Sequence, residues 1–218
     1  MTQERTTKKL IFPLQVLFED DHLAVIHKPA GIIVSGNKWK TIARALPDNL
    51  RPSQQPDACA PQPAHRLDFP TTGALLIGKT TSCIRVLNQM FEVKDIHKTY
   101  LAIAIGEMQR KGSIHTPIDD KPSTTAYEVI QSAPSERFGA LNLVQLYPQT
   151  GRRHQLRKHL SNIGHPILGD KEYGIENLIL NGKGLYLHAH RLEFVHPFTK
   201  EQLNIEDELP KKFKNIFP

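Results

Sequence analysis

The sequence predicts an α+β fold with a central mixed, mainly antiparallel sheet that is flanked by helices and loops. Candidate strands outnumber candidate helices, and they do not alternate strictly with helices as they do in a doubly wound parallel fold. The clearest strand is KTYLAIAIG at 98–106, where leucine and isoleucine alternate with Tyr100 and two alanines. The apolar run GALLIG at 73–78 indicates a second, buried strand.

Local patterns place the other elements. Residues 15–27 carry two short apolar runs on either side of an acidic turn at 19–21, which predicts a hairpin. A threonine or serine at 80–82 caps a helix whose apolar residues recur on one face. The remaining predictions are a short helix at 39–46, strands at Thr125–Gln131, Leu141–Tyr147 and Tyr186–Val195, and a helix at Arg153–Ile163.

A proline-rich segment, 47–63, interrupts this pattern. Its prolines lie at positions 47, 52, 56, 61 and 63. No helix or central strand tolerates that spacing, so we predict a loop there and assign it no role. We find no internal repeat and no linker, and we therefore expect a single domain over 15–218 after a flexible basic leader at 1–14.

Composition excludes several classes of protein. The chain has 218 residues and a formal net charge of +6, a modest excess that alone does not choose nucleic acid over solubility. No apolar run approaches the roughly 20 residues of a membrane span, and the N-terminus lacks the apolar core of a signal peptide. Two cysteines are too few for a disulfide scaffold or a four-thiolate zinc site. We expect a soluble, cytoplasmic protein.

Positive charge is concentrated at Gly151–Leu160, at the start of a predicted helix. This stretch contains three arginines, one lysine and two histidines, and no acid. Cations at a helix N-terminus are disfavoured by about 0.3–1 kcal/mol, because the macrodipole is positive there. The pattern therefore predicts a site for a phosphate or carboxylate, although a solvated basic face would explain the same residues.

Two further segments contain residue types that are suited to chemistry. Asp68 follows the cationic residues His65 and Arg66 in HRLDFPTTG, shortly before the buried strand at 73–78. Alone, it is typical of a cap or a turn. Tyr100 otherwise shares its strand face with alanines, which predicts a flat cavity in front of the ring, but a tyrosine on a strand is ordinarily a packing residue.

Three histidines suggest an alternative that we do not favour. His188 and His190 lie two apart on one strand face, and His196 follows. This spacing is compatible with zinc, but no local motif supplies a third ligand and a general-base carboxylate. We expect no metal, and we expect these histidines to make structural hydrogen bonds or to line the site.

Five motifs, taken in order, resemble those of the RluA family of pseudouridine synthases. They are LFEDDHLAVIHKPAGIIV at 17–34, HRLDFPTTG at 65–73, KTYLAIAIG at 98–106, TGRRHQLRKHLSNIGHPILGDKEYG at 150–174 and LHAHRLEFVHPFTKE at 187–201. The resemblance covers about residues 16–200. It departs from the family pattern at Thr72, where serine is usual, and in the longer proline-rich segment.

The resemblance implies the pseudouridine synthase fold in a stand-alone catalytic core, with a TruC-like branch as one option. In the implied reaction uracil is detached from C1′ of its ribose, turned and re-joined through C5. There is no redox change, so no cofactor is expected, and the base must be flipped out of its stack. We expect a monomeric enzyme whose partner is RNA. An acceptor-stem or anticodon-stem uridine of tRNA is the favoured substrate, and ribosomal RNA is the alternative.

The same resemblance implies roles for individual residues. Asp68 is the carboxylate at C1′, acting either as a nucleophile or on a glycal route. Arg157 is its partner arginine, and Tyr100 stacks on the flipped uracil. The implied RNA-binding residues are His65, Arg66, Arg152, Arg153, His154, Gln155 and Lys158.

Two other functions remain open at this point. A non-catalytic RNA-binding protein with the same shell needs the basic patch, but it does not need Asp68, Tyr100 and Arg157 together. A metal-dependent hydrolase built on the three histidines would bind zinc.

Overall fold

The structure, a computed structural model, describes residues 12–217, and within them the chain forms ten strands and four α-helices. The strands are β1 Val16–Glu19, β2 Leu23–Lys28, β3 Ala58–Pro63, β4 Thr72–Thr80, β5 His97–Ile105, β6 Lys111–Ile114, β7 Thr125–Ser135, β8 Gly139–Pro148, β9 Leu187–Val195 and β10 Gln202–Glu206. The helices are α1 Ile42–Asn49, α2 Thr81–Val93, α3 Gln155–Asn162 and α4 Lys211–Lys214, with a 3₁₀ turn at Glu176–Leu178. None of the described helices is long and apolar enough to cross a membrane.

All ten strands belong to one sheet, in the order β1-β2-β4-β9-β5-β8-β7-β6, with β10 paired to β9 and β3 to β4. Among these pairs β4–β9 is parallel and the others are antiparallel. The predicted fold class, α+β with a mixed and mainly antiparallel sheet, is confirmed.

Helices α1 and α2 cover opposite faces of the β2–β4 part of the sheet. On β2, Ala24 and Ile26 pack in one cluster with α1, whereas Leu23 and Val25 pack in another with α2. Successive side chains of a strand point to opposite faces, so this division is what a strand between two layers requires. Burial on both faces explains why GALLIG is apolar throughout.

The start of β4 lies unusually close to β9. Gly73 has φ +121°, and a Cβ built there would lie 2.3 Å from the carbonyl oxygen of Ala189. Glycine is therefore required where the two parallel strands meet. Beside it the Thr72 hydroxyl bonds Nδ1 of His188 at 2.9 Å, which gives the retained hydroxyl at this position a structural partner.

The prediction of a loop throughout 47–63 is wrong at both ends. Pro47 lies inside α1 on its exposed side, where the one helical hydrogen bond that it cannot donate is lost next to solvent. Pro61 and Pro63 lie in β3, which pairs only with the end of β4. A strand with a free edge tolerates proline, because the missing N–H is not needed there.

Two predicted boundaries also change. Helix α3 begins at Gln155 rather than Arg153, because His154 adopts the left-handed conformation with φ +56°. The predicted leader at 1–14 lies outside the described residues over 1–11. Leu14 is buried, and its N–H donates to Oδ1 of Asn49 at 2.7 Å, so Leu14 packs with the domain.

Candidate active site

Asp68 lies in the short loop between β3 and β4, with its side chain 17% exposed at the bottom of a cleft. The loop is closed by a hydrogen bond from the Thr71 N–H to the Asp68 carbonyl, at 3.1 Å. The next carbonyl, that of Phe69, accepts from the Gly31 N–H at 2.8 Å. The backbone on the C-terminal side of the carboxylate is thus held from two directions.

The third support of this loop is Lys28, at the end of β2. Its ammonium is fully buried and donates to the carbonyls of Phe69 and Thr71, at 3.3 and 2.7 Å, and to that of Pro29. Burial lowers the pKa of Lys28 to about 8, while the negative charge of Asp68 acts in the opposite direction. Lys28 is not among the site residues expected from the sequence. The signal that pointed to it was its place in the N-terminal motif.

Arg157, on α3, forms a buried bidentate ion pair with Asp170. Its Nε and Nη2 each lie 2.7 Å from a carboxylate oxygen of Asp170, and Nη2 also lies 3.2 Å from Glu172. Burial alone would lower the pKa of Arg157, but Asp170 outweighs it and Asp68 adds to the net rise. Arg157 thus stays charged close to Asp68, while its hydrogen bonds go to the other carboxylates.

The side chain that reaches Asp68 is His154. Its Nε2 lies 3.7 Å from Oδ1 of Asp68, and its Nδ1 lies 2.9 Å from the hydroxyl of Tyr173. The ring of Tyr173 in turn lies beneath the Arg157 guanidinium, 4.8 Å from it. The left-handed backbone at His154 directs this ring away from α3 and towards the Asp68 loop, a geometry that the helix prediction did not contain.

Tyr100, on β5, lines the same cleft. Burial raises the pKa of its phenol, and the Asp68 charge raises it further, so the hydroxyl is protonated at neutral pH. The alanines of its strand face, Ala102 and Ala104, are fully buried and do not line the cleft. The predicted cavity therefore opens at Tyr100 but does not extend along the alanines, because other residues cover their small side chains.

The cleft consists of two cavities that meet at Asp68. The larger, of about 1050 Å³, is lined by Asp68, Tyr100 and Arg157 together. The smaller, of about 780 Å³, also contains Asp68 and Arg157 but extends towards Phe69. The structure therefore brings the three expected catalytic residues to one place, although they are separated by more than 30 residues from one to the next.

The expected RNA-binding residues differ in their exposure and in their partners. Arg66, Arg152 and Arg153 are exposed on the rim of the larger cavity. Arg66 and Arg153 have no carboxylate within ion-pair distance among residues 12–217. Lys158 lies outside both cavities and pairs with Asp119 at 2.9 Å.

Gln155 and His65 are bound within the protein. The buried Gln155 amide donates to Thr124 and Thr125 and accepts from Thr150 and Arg152. Nε2 of His65 accepts from the Leu76 N–H at 3.1 Å, and burial lowers the pKa of His65 to about 3. The Gln155 amide and Nε2 of His65 are therefore engaged in hydrogen bonds within the protein.

The three histidines considered for zinc have protein partners. Nε2 of His188 and Nδ1 of His190 both donate to the carbonyl of Asp207, at 3.3 and 2.9 Å, as structural hydrogen bonds. His196 lies apart from them and pairs with Asp20 at 2.9 Å. No group of three potential metal ligands occurs within the described part of the chain.

Comparison with known proteins gives a consistent result. The sequence profile of the family described as RNA pseudouridylate synthase matches residues 22–162. The uncharacterised RNA pseudouridine synthase YhcT of Bacillus subtilis is 35% identical over 93% of this chain and 71% of its own length. Ribosomal large subunit pseudouridine synthase D of Nitrosomonas europaea is 35% identical over 91% of this chain, which spans only 62% of that relative.

One further relative and one solved structure also match this chain. tRNA pseudouridine synthase C of Pasteurella multocida is 32% identical over 88% of this chain and 90% of its own. Among solved structures, human RNA pseudouridylate synthase domain containing 4 superimposes with a TM-score of 0.74 at 27% identity, covering 92% of this chain and 90% of that one. The chain therefore belongs to the RNA pseudouridylate synthase family, the isomerases that convert uridine to pseudouridine in RNA.

Proposed function

We propose that this chain isomerises a specific uridine of tRNA, with Asp68 as the group that acts at C1′. The observation that carries the proposal is that Asp68, Tyr100 and Arg157 line one cavity. Its rim contains Arg66 and Arg153, which have no carboxylate within ion-pair distance among the described residues. An acid at the bottom and arginines at the mouth are suited to a flipped nucleotide with its phosphates outside.

The geometry supports a division of roles. The reaction needs an ionised carboxylate at C1′ in a site that excludes water from the sugar. Asp68 is largely buried and lies near the guanidinium of Arg157, whose pKa the Asp68 charge helps to raise. The two routes, direct attack on C1′ or a glycal intermediate, both require this carboxylate.

Tyr100 forms the wall against which a flipped uracil would stack. Its raised pKa keeps the phenol protonated, so the hydroxyl is able to donate a hydrogen bond or a proton at the sugar. Arg66, directly beside Leu67 and Asp68, is exposed on the same rim. We assign it the place that the flipped base leaves in the RNA stack, the role that the family resemblance implies.

The RNA is the finer part of the proposal. The doubled arginine of GRRHQLR and the HPILGD segment favour the branch that modifies a tRNA stem. A ribosomal RNA substrate is the second candidate, because relatives named for the large ribosomal subunit match this chain as well as the tRNA enzyme does. We further propose that residues 15–218 act as one catalytic domain in a cytoplasmic monomer that requires no cofactor.

The decisive experiment is to map pseudouridine in tRNA and ribosomal RNA with and without this gene. We expect one tRNA position to lose its pseudouridine, and purified protein to restore it on tRNA from the deletion strain. Loss confined to the large ribosomal RNA would establish the second candidate instead. If neither RNA changes and purified protein modifies neither, the proposed function is wrong.

A further inference from the structure

The smaller cavity contains an aromatic side chain to which the catalytic roles above assign nothing. Phe69 follows Asp68 directly, and its side chain is 53% exposed within this cavity. Its backbone, by contrast, is fixed: Gly31 and Lys28 both donate to its carbonyl, and Pro70 restricts the backbone of the residue before it, Phe69 itself. The fixed backbone thus holds an exposed apolar ring inside the cavity and next to Asp68, where a ligand that enters the cavity would contact it.

The surroundings of Phe69 favour a nucleotide as the group that covers it. Arg66 and Arg153 line the same cavity, and neither has a carboxylate within ion-pair distance in the described part of the chain. Apart from Asp68, the acids of this cavity are occupied, since Asp170 binds Arg157 and Glu172 contacts both Arg157 and His154. An exposed ring next to unpaired guanidinium groups is complementary to a base with its phosphate.

We propose that Phe69 is a stacking platform for an unpaired base next to the target uridine in the RNA substrate. When the uridine enters the larger cavity, its neighbour loses a stacking partner, and the smaller cavity meets the larger one at Asp68. Phe69 offers a replacement surface at this junction. This inference rests on the proposed function, because it requires a flipped uridine at Asp68.

A kinetic test uses Phe69→Ala, Phe69→Trp and the control Trp39→Ala, with tRNA and ribosomal RNA from a strain lacking the gene as probes. Trp39 is exposed to a similar extent, 55%, and lies outside both cavities. Loss of a base–aromatic stack weakens binding roughly 5- to 150-fold. We expect Phe69→Ala to raise KM about tenfold with kcat within threefold of wild type. Phe69→Trp should keep KM near wild type, and Trp39→Ala should change neither constant.

A binding test separates this inference from the proposed function. The chain has a single tryptophan, so the double variant Phe69→Trp/Trp39→Phe reports only from position 69. We expect the same RNA to quench the emission of this variant and to leave that of Trp39 in the wild type unchanged. A KM for Phe69→Ala within twofold of wild type, or an unquenched variant, overturns the stacking platform. If wild-type protein binds RNA without turnover, the proposed function fails, while the quenching still decides whether an RNA base stacks on position 69.

Discussion

Arg157 forms its bidentate ion pair with Asp170 and not with Asp68. Nε and Nη2 of the guanidinium each lie 2.7 Å from one oxygen of the buried Asp170 carboxylate. Asp68 raises the pKa of Arg157 only as a nearby charge. The cation beside the reacting carboxylate is therefore fixed in position by a second acid. Such an arrangement keeps the charge in place before substrate binds, and leaves the Asp68 oxygens free to act on it.

The first prediction concerns Asp68→Asn. The amide has the shape of the carboxylate but neither its charge nor its nucleophilicity, so we expect turnover to fall by about 10³-fold or more. RNA affinity and the unfolding midpoint should change little. Tritium release from C5-labelled uridine in RNA measures turnover, with the exposed Glu136→Gln as the control for loss of one negative charge. Turnover of Asp68→Asn within tenfold of wild type contradicts the assignment.

Arg157→Lys tests whether activity requires the two parallel hydrogen bonds of the guanidinium or only its positive charge. Lysine keeps the positive charge but offers a point contact instead of two parallel hydrogen bonds. We expect kcat to fall about 100-fold, because the cation is no longer fixed next to Asp68. Arg191→Lys, which alters an arginine paired with Glu206 outside both cavities, should keep kcat near wild type. Near-normal activity of Arg157→Lys would assign the role to another arginine.

Asp170→Asn should lower the stability of the fold. The substitution leaves the buried Arg157 guanidinium without its main partner, and breaking a buried pair from one side costs about 3 kcal/mol in free energy of unfolding. Urea denaturation measures this loss. An unchanged urea midpoint would show that Glu172 alone is a sufficient partner for Arg157.

The same pair predicts a pH dependence of stability. Burial by itself would raise the pKa of Asp170, but hydrogen bonds from Arg157 and from the Glu172 and Tyr173 backbone lower it below the ordinary 3.8. A carboxyl with a lowered folded-state pKa stabilises the fold above the unfolded value, and this contribution is lost as pH falls through the folded pKa. Wild-type stability should therefore decline below about pH 4 with a steeper slope than that of Asp170→Asn. Equal slopes in denaturation series at several pH values would exclude this origin.

Much of the fold was predictable because its main signals are local. Period-two alternation identified β5, the apolar run identified β4, and a threonine cap marked the start of α2. The missed strands are short or lie at sheet edges. β3 carries two prolines and β6 has four residues, so neither shows a periodic pattern. Strand order could not be predicted, because it is decided by contacts between residues far apart in sequence.

The candidate site was also predictable only in part. Asp68, Tyr100 and Arg157 were assigned through motifs, and the structure brings them to one cavity, but their roles remain proposals. Asp170 and Lys28 were missed as partners because tertiary contacts define what they do. Lys28 reaches the carbonyl of Phe69, 41 residues away in sequence, and apart from its place in the N-terminal motif no local pattern distinguishes it from an exposed lysine at a strand end.

Lys28→Met is the last prediction. The substitution removes the donor to three carbonyls, including those of Phe69 and Thr71 around Asp68. A buried carbonyl without a partner costs about 1–3 kcal/mol, and the loop that carries the carboxylate loses its support. We expect the free energy of unfolding to fall by about 2 kcal/mol and kcat to fall at least about tenfold where the variant is still folded.

Lys79→Met is the matched control, because Lys79 is equally buried but binds Glu19 at the opposite end of β4. It should lose stability and keep kcat. Parallel urea denaturation and tritium-release assays decide the matter: if both variants lose kcat alike, or neither does, Lys28 contributes only to stability and does not position Asp68.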